Sequence, residues 1–262
     1  MVGVARRTKF LILTIIYLFG CVGFEFVIFD KLFYLLGFVF VMVITNLVAL
    51  YPGYSLKDIF YISFQPITLT VATIAGLYFF PNLNFYFKFI LIFVSAFLIY
   101  IATLTNNLVI AEKLEDSSLP LFRVGLIWTQ ILLIIQSIPL ITIIYKLDLP
   151  FFIQALLITV YFICSSLIYI HTFLLSRKNE KVSKGEVTLI IAQMVYLPVI
   201  AALSTSFISA ESFLRATFIT SVYMGMVGYA RNYLENALTR KLVLQYAAIC
   251  LFFIIVLLTF TP

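Results

Sequence analysis

The chain writes nearly the same phrase twice. Residues 93–107 read FVSAFLIYIATLTNN and residues 162–176 read FICSSLIYIHTFLLS. Leu98-Ile99-Tyr100-Ile101 thus returns as Leu167-Ile168-Tyr169-Ile170, each time with a threonine (Thr103, Thr172) two positions after the second isoleucine. Both copies sit inside long apolar runs. Barrel strands would be about half as long and would alternate polar with apolar residues, so the runs read as helices that cross a membrane.

Similar runs recur from end to end. Of the 262 residues, 64% are hydrophobic, 17% aromatic and only 11% charged, whereas soluble domains are roughly 45–50% apolar and about 25% charged. A water-soluble fold of this size has too little interior for that much apolar surface, so the solvent is mostly lipid. A helix needs about 20 apolar residues to cross the hydrocarbon. That length divides the chain into nine segments, at about 9–29, 31–52, 57–80, 84–105, 122–145, 149–176, 187–208, 211–230 and 241–260. The expected fold is all-α: a polytopic integral membrane helix bundle of about nine transmembrane helices, forming a single transmembrane domain over 1–262. The basic start followed by an apolar stretch reads as an uncleaved first helix, because Glu25 and Phe26 continue the segment and no small-residue cleavage site follows.

The net charge of +6 would suggest nucleic acid in a soluble protein. Here the basic residues fall in short gaps between apolar runs, so lipid headgroups are their expected neighbours and nucleic acid is not a partner. With the N-terminus cytoplasmic, only Lys31, Lys88, Lys146 and Arg215 of the 17 basic residues fall on the outer side; the rest, among them Lys57, Lys113, Arg177, Lys178, Lys181 and Lys184, fall inside. This is the bias of the positive-inside rule, and it places the C-terminus outside a cell membrane. A count of eight would move the C-terminal tail to the other face and make one hairpin re-entrant.

The repeated phrase extends to a pattern. The third, fifth and seventh helices carry Gln65, Gln130 and Gln193, then Pro66, Pro139 and Pro198; the helix after each carries Tyr100, Tyr169 or Tyr229. The proline-to-tyrosine separations are 34, 30 and 31 residues, and Thr103, Thr172 or Asn232 follows three positions later. This suggests a threefold repeat of a two-helix hairpin at 57–107, 122–176 and 187–234, with a leading pair at 1–52 and a closing helix at 241–262. Chance recurrence in a Leu/Ile/Phe-rich chain, with prolines tolerated and tyrosines at the interface, is the simpler account.

The glutamines matter under either account. An amide without a partner in hydrocarbon costs several kcal/mol, so Gln65, Gln130 and Gln193 are expected to face protein. By helical rise all three lie on the order of 10 Å inside the inner rim. They serve either as interhelical glue or as a polar layer around a cavity open to the cytoplasm, which Gln136 and Ser137 would deepen. Glu25 is the only acid well inside a span, a candidate intramembrane charge site either neutral or paired with Lys31 or Arg215. Arg215 shares a helix face with Glu211. Arg231, Glu235 and Arg240, within YARNYLENALTRKL, are the candidate headgroup-binding residues, with topological anchoring as the simpler reading. Glu112, Glu115 and Asp116 read as a solvated inner loop. His171, the only histidine, reads as a rim residue.

The remaining chemistry is sparse. Cys21, Cys164 and Cys250 lie apart in apolar runs and form no disulfide or zinc pattern. HExxH, GxSxG, GxGD, CxxC, a DxxxD pair and the Walker A motif are all absent from the sequence, so no catalytic residues, metal ligands or cofactors are assigned. Two readings remain. The first is a non-enzymatic carrier, or a membrane subunit that binds a partner protein or membrane lipids, including anionic or polyprenyl-phosphate lipids. The alternative is a membrane enzyme acting on a lipid-linked phosphate at the cytoplasmic rim.

Overall fold

The structure, a computed structural model, describes residues 2–27, 31–51, 55, 58–80, 82–114, 122–147, 149–175, 183–208 and 210–260. Among these it is all-helical: α1 Val2–Phe26, α2 Lys31–Leu50, α3 Ile59–Phe79, α4 Phe85–Leu114, α5 Phe122–Lys146, α6 Phe151–Leu175, α7 Lys184–Thr205, α8 Ser212–Leu234 and α9 Arg240–Thr259. Eight of the nine are long and apolar enough to cross a membrane; α8 is long enough but less apolar. The chain divides into two units, Met1–Leu132 and Leu133–Pro262, with the boundary inside α5.

In unit 1 the first four helices pack as a ring, α1 on α2, α2 on α3, α3 on α4 and α4 back on α1. Gly20 of α1 makes the first contact close: any Cβ there would collide with the Phe38 ring of α2. One turn earlier on α2, the Tyr34 hydroxyl donates to the Gly20 carbonyl at 2.7 Å. Across the ring, the Tyr17 hydroxyl of α1 donates to Thr73 of α3 at 2.8 Å.

Pro66 sits inside α3. It has no N–H, so it leaves the carbonyl four residues earlier, at Ile62, without its helical partner. Two neighbours fill the gap. Asn46 of α2 donates its amide to the Ile62 oxygen at 3.2 Å, and Asn106 of α4 donates to the same oxygen at 2.8 Å. One freed backbone group therefore ties three helices together, and both asparagines are buried there.

That contact also explains a departure from the hydropathy reading. The fourth segment was expected to end near 105, followed by a solvated loop carrying Glu112. Instead α4 continues to Leu114, and Asn106 and Glu112 are buried within it. Packing against the bundle carries the helix past the point where apolarity runs out. Asp30, Lys57, Glu115, Asp116, Arg177, Lys178 and Lys181 lie outside the described residues.

In unit 2, α6 packs on α7, α7 on α8 and α8 on α9. The Phe162 ring of α6 lies 4.6 Å from that of Tyr223 on α8. From α5, the Tyr145 hydroxyl donates to the Ala202 carbonyl of α7 at 3.0 Å. Helix α8 is heavily buried, with Ala216, Ile219, Tyr223, Val227 and Ala230 among its covered positions, whereas only Leu257 of α9 is buried. Leu244, Leu251, Phe252 and Ile255 stand open on α9, as do Phe85, Tyr86 and Phe87 at the start of α4. Apolar surface on this scale is unfavourable in water and suited to lipid.

Replacing either asparagine at the Ile62 carbonyl by leucine should cost roughly 0.6–1.7 kcal/mol, the range for interhelical hydrogen bonds in membranes. Replacing both should cost more than the sum, because the carbonyl is then buried without a donor. Adding Pro66→Ala should recover part of the loss by returning an N–H to Ile62. SDS-induced unfolding of the purified protein measures all four; strictly additive losses with no recovery would contradict the three-helix clamp.

Candidate functional site

The ends of α7, α8 and α9 are built by local signals. Ser183 caps α7, its hydroxyl accepting from the Glu186 N–H at 3.2 Å. Helix α8 closes with Asn236 at φ 51°, the left-handed conformation that asparagine tolerates. The Ala237 N–H then returns to the Asn232 carbonyl at 2.9 Å. Thr239 caps α9 by accepting from the Leu242 N–H. The result is a tight turn that sends α9 back along α8.

The two helices meet at a glycine notch. At Gly228 a Cβ would overlap the ring tip of Tyr246, and at Gly225 the nearest neighbours are Tyr246 and Cys250 of α9. Asn232 donates to the Gly228 carbonyl at 2.8 Å and reaches the Tyr246 hydroxyl at 3.4 Å. Between this seam and α7 lies a groove of about 510 Å³. Gln193, Tyr196 and Leu197 of α7 form one wall, Val222, Gly225, Met226 and Tyr229 of α8 the floor, and Val243, Tyr246, Ala247 and Cys250 of α9 the other wall. Its lining is almost entirely apolar, with the Gln193 amide and the hydroxyls of Tyr196, Tyr229 and Tyr246 as its polar features.

The residues singled out in the sequence fall as follows. Gln193 is half-buried in the groove wall. Gln65 is buried in α3, and neither its amide nitrogen nor its oxygen meets a hydrogen-bond partner among the described residues. Gln130 is half-buried on α5 in unit 1. Gln136 is fully buried in unit 2, beside the Tyr161 hydroxyl. Arg231 and Glu235 pair with each other at 3.1 Å, their side chains 37% and 32% exposed. Arg240 opens α9 and is exposed. Thr103, Thr172 and Asn232 each bond back to the carbonyl four residues earlier, at 2.9, 2.8 and 2.8 Å.

The charges expected at the outer side find partners other than those foreseen. Glu25 pairs with Lys88 of α4 at 2.9 Å, not with Lys31 or Arg215. The reason is the packing of α1 on α4, which brings the end of one beside the start of the other. Lys31 instead lies over the rings of Phe24 and Tyr78, 5.4 and 5.8 Å from their centroids. Arg215 donates to the Ile208 carbonyl and lies 5.4 Å from the Tyr145 ring centroid. Cys21, Cys164 and Cys250 are free thiols, and no group of three metal-ligating side chains occurs among the described residues.

Sequence reasoning missed three features. Asn46 and Asn106 were not paired with the proline they serve. Gly225 and Gly228, like Gly20 and Gly23, stand three positions apart on one helix face, and an aromatic side chain of the next helix approaches the backbone at each pair. The third is a buried hydroxyl cluster in unit 2, which requires α6 and α8 to be adjacent before it can be recognised.

Fold and composition together are those of a multi-pass membrane protein: an all-helical bundle whose open surface is apolar. Compared with protein-family models, with curated proteins and with solved structures, the chain matches none.

The Glu25–Lys88 pair is partly exposed, at 32% and 19% of the side-chain surface, so its coupling should be small, about 0.2–1 kcal/mol, and should weaken in high salt. A double-mutant cycle with Glu25→Gln and Lys88→Met, read by SDS unfolding, measures it. A coupling of several kcal/mol, insensitive to salt, would show that Glu25 is held as a buried charge.

Proposed function

We propose that this chain is a nine-span membrane protein, N-terminus cytoplasmic and C-terminus outside, that binds the tail of an anionic amphiphile in the α7–α9 groove, as a carrier or as a lipid-binding membrane subunit. The groove carries the proposal. A volume of about 510 Å³ falls within the usual range of small-molecule sites, ~300–1,000 Å³, which are mostly apolar with a few fixed polar groups.

Counting α8 as a span rests on its surroundings. At about 1.5 Å per residue, its 23 residues are long enough to cross. Its polar positions are largely covered by α6, α7 and α9, so its lower apolarity is not presented to lipid. Packing between α7 and α9, and the tight turn at Asn236, both suit a helix that crosses fully.

Charge supports an anionic headgroup. Val243, in the groove wall, is one turn from Arg240, so the groove opens about 5 Å from the start of α9. Arg240, Lys241 and Arg231 stand at that level, where cytoplasmic-side basic residues attract anionic lipid. The alternative of an enzyme acting on a lipid-linked phosphate draws less support. Its best candidates, Arg231 and Glu235, are engaged with each other at a half-exposed rim, and neither lines the groove.

Native mass spectrometry of the detergent-purified chain with added phosphatidylglycerol or phosphatidylcholine tests this. The unaltered protein should keep phosphatidylglycerol adducts preferentially. Ala247→Trp, which fills the groove, should lose them several-fold. The pair Arg240→Gln and Lys241→Gln should keep adducts but lose the preference for the anionic lipid. Equal adducts in all three proteins would refute the groove as the site.

A further inference from the structure

Most hydroxyls in these helices bond back to their own helix. Thr70, Thr129, Thr142 and Thr172, for example, each donate to the carbonyl four residues earlier, the usual way such groups are satisfied away from water. A cluster in unit 2 breaks this habit. Ser165, Ser166 and Tyr169 of α6 and Thr220 and Tyr223 of α8 are all buried, and among the described residues none of their five hydroxyl oxygens meets a hydrogen-bond partner. Tyr223 stands close to Ser166 and Ser165, with Tyr161 and Tyr169 as further neighbours, so the hydroxyls cluster without the five reaching direct hydrogen-bond geometry. Buried polar groups are almost always satisfied by protein or by ordered water, and one lone tyrosine hydroxyl would already cost roughly 1–3 kcal/mol.

We infer that α6 and α8 enclose an internal water-binding site, whose ligands are the hydroxyls of Ser165, Ser166, Tyr169, Thr220 and Tyr223. Each hydroxyl can donate and accept, so a few waters with two to four partners each would satisfy all five. The lining is neutral, which suits water and disfavours an ion. The site also has continuations. At one end Tyr169 lies near Arg231 and Glu235, where water can enter from the half-exposed pair. At the other, Tyr161 lies beside Ser165 and contacts Ser137 of α5 at 2.9 Å. From Arg231 to Tyr223 is eight residues of helix, about 12 Å. The seam therefore forms a hydrated inlet from the rim toward the middle of the bundle. This does not depend on the α7–α9 groove, since none of the five residues lines it.

Radiolytic hydroxyl-radical footprinting of the unaltered protein reads bound water directly, since radicals form from water at the site. Tyr17 is the internal control: it is equally buried, but its hydroxyl is bonded to Thr73. Tyr169 and Tyr223 should be oxidised several-fold faster than Tyr17. In parallel, Tyr223→Phe removes one hydroxyl and little else. If water holds that hydroxyl, the melting temperature should fall by about 2–4 °C; if the hydroxyl is bare, it should stay or rise. Oxidation of Tyr169 and Tyr223 at the Tyr17 rate, or a Tyr223→Phe protein that melts at or above the unaltered one, would overturn the inference. Should the variant fail to fold, the footprint alone decides.

Discussion

Within a bilayer a backbone carbonyl that loses its helical partner must find another from protein, because the hydrocarbon offers none. The oxygen of Ile62 is where this chain meets that demand most visibly. Pro66 frees it, and Asn46 and Asn106 both reach it. The arrangement orders α2, α3 and α4 around one atom without placing a charge in the interior. It also fixes register, since a slide of either neighbour by one turn would remove its amide from reach. The continuation of α4 to Leu114 keeps Asn106 well inside a helix and away from a fraying end.

Unit 2 solves its packing differently. Its α8–α9 contact is made by removing side chains, with Gly225 and Gly228 letting a tyrosine ring lie against the backbone. Close approach of this kind draws on dispersion and costs no buried polar group. It leaves α9 attached along a narrow seam, with most of its surface open, and so leaves room for the groove beside α7. The groove, the notch and the caps at Ser183 and Thr239 are parts of one construction. The caps and the turn set the directions of the helices, the glycines set one separation, and the groove is the space that remains.

The helices themselves were legible in the sequence, because a run of about 20 apolar residues has few alternatives. The cost of an amide in oil predicts that Gln65, Gln130 and Gln193 face protein; Gln65 is fully buried, whereas Gln130 and Gln193 are half-buried. Other features required knowledge of neighbours. Glu25 gives no sign that Lys88, 63 positions later, is its partner, since that depends on α1 lying against α4. The end of α4 was misplaced because hydropathy measures what faces lipid, and Asn106 and Glu112 face protein. Helix α8 shows the same confusion in reverse: its composition reflects the helices that cover it and says little about how far it extends. The unpartnered hydroxyls on α6 and α8 look unremarkable in sequence, because serine and threonine in a membrane helix are ordinarily satisfied by their own backbone.

One residue gives the molecule a built-in reporter. Trp128 is the single tryptophan of the chain, and it sits partly buried against the core of unit 1. Indole emission from the whole protein is therefore a local signal, coloured by the polarity and mobility around one side chain of α5. A shift in its wavelength on changing detergent or lipid would report a rearrangement beside that core, with no label introduced.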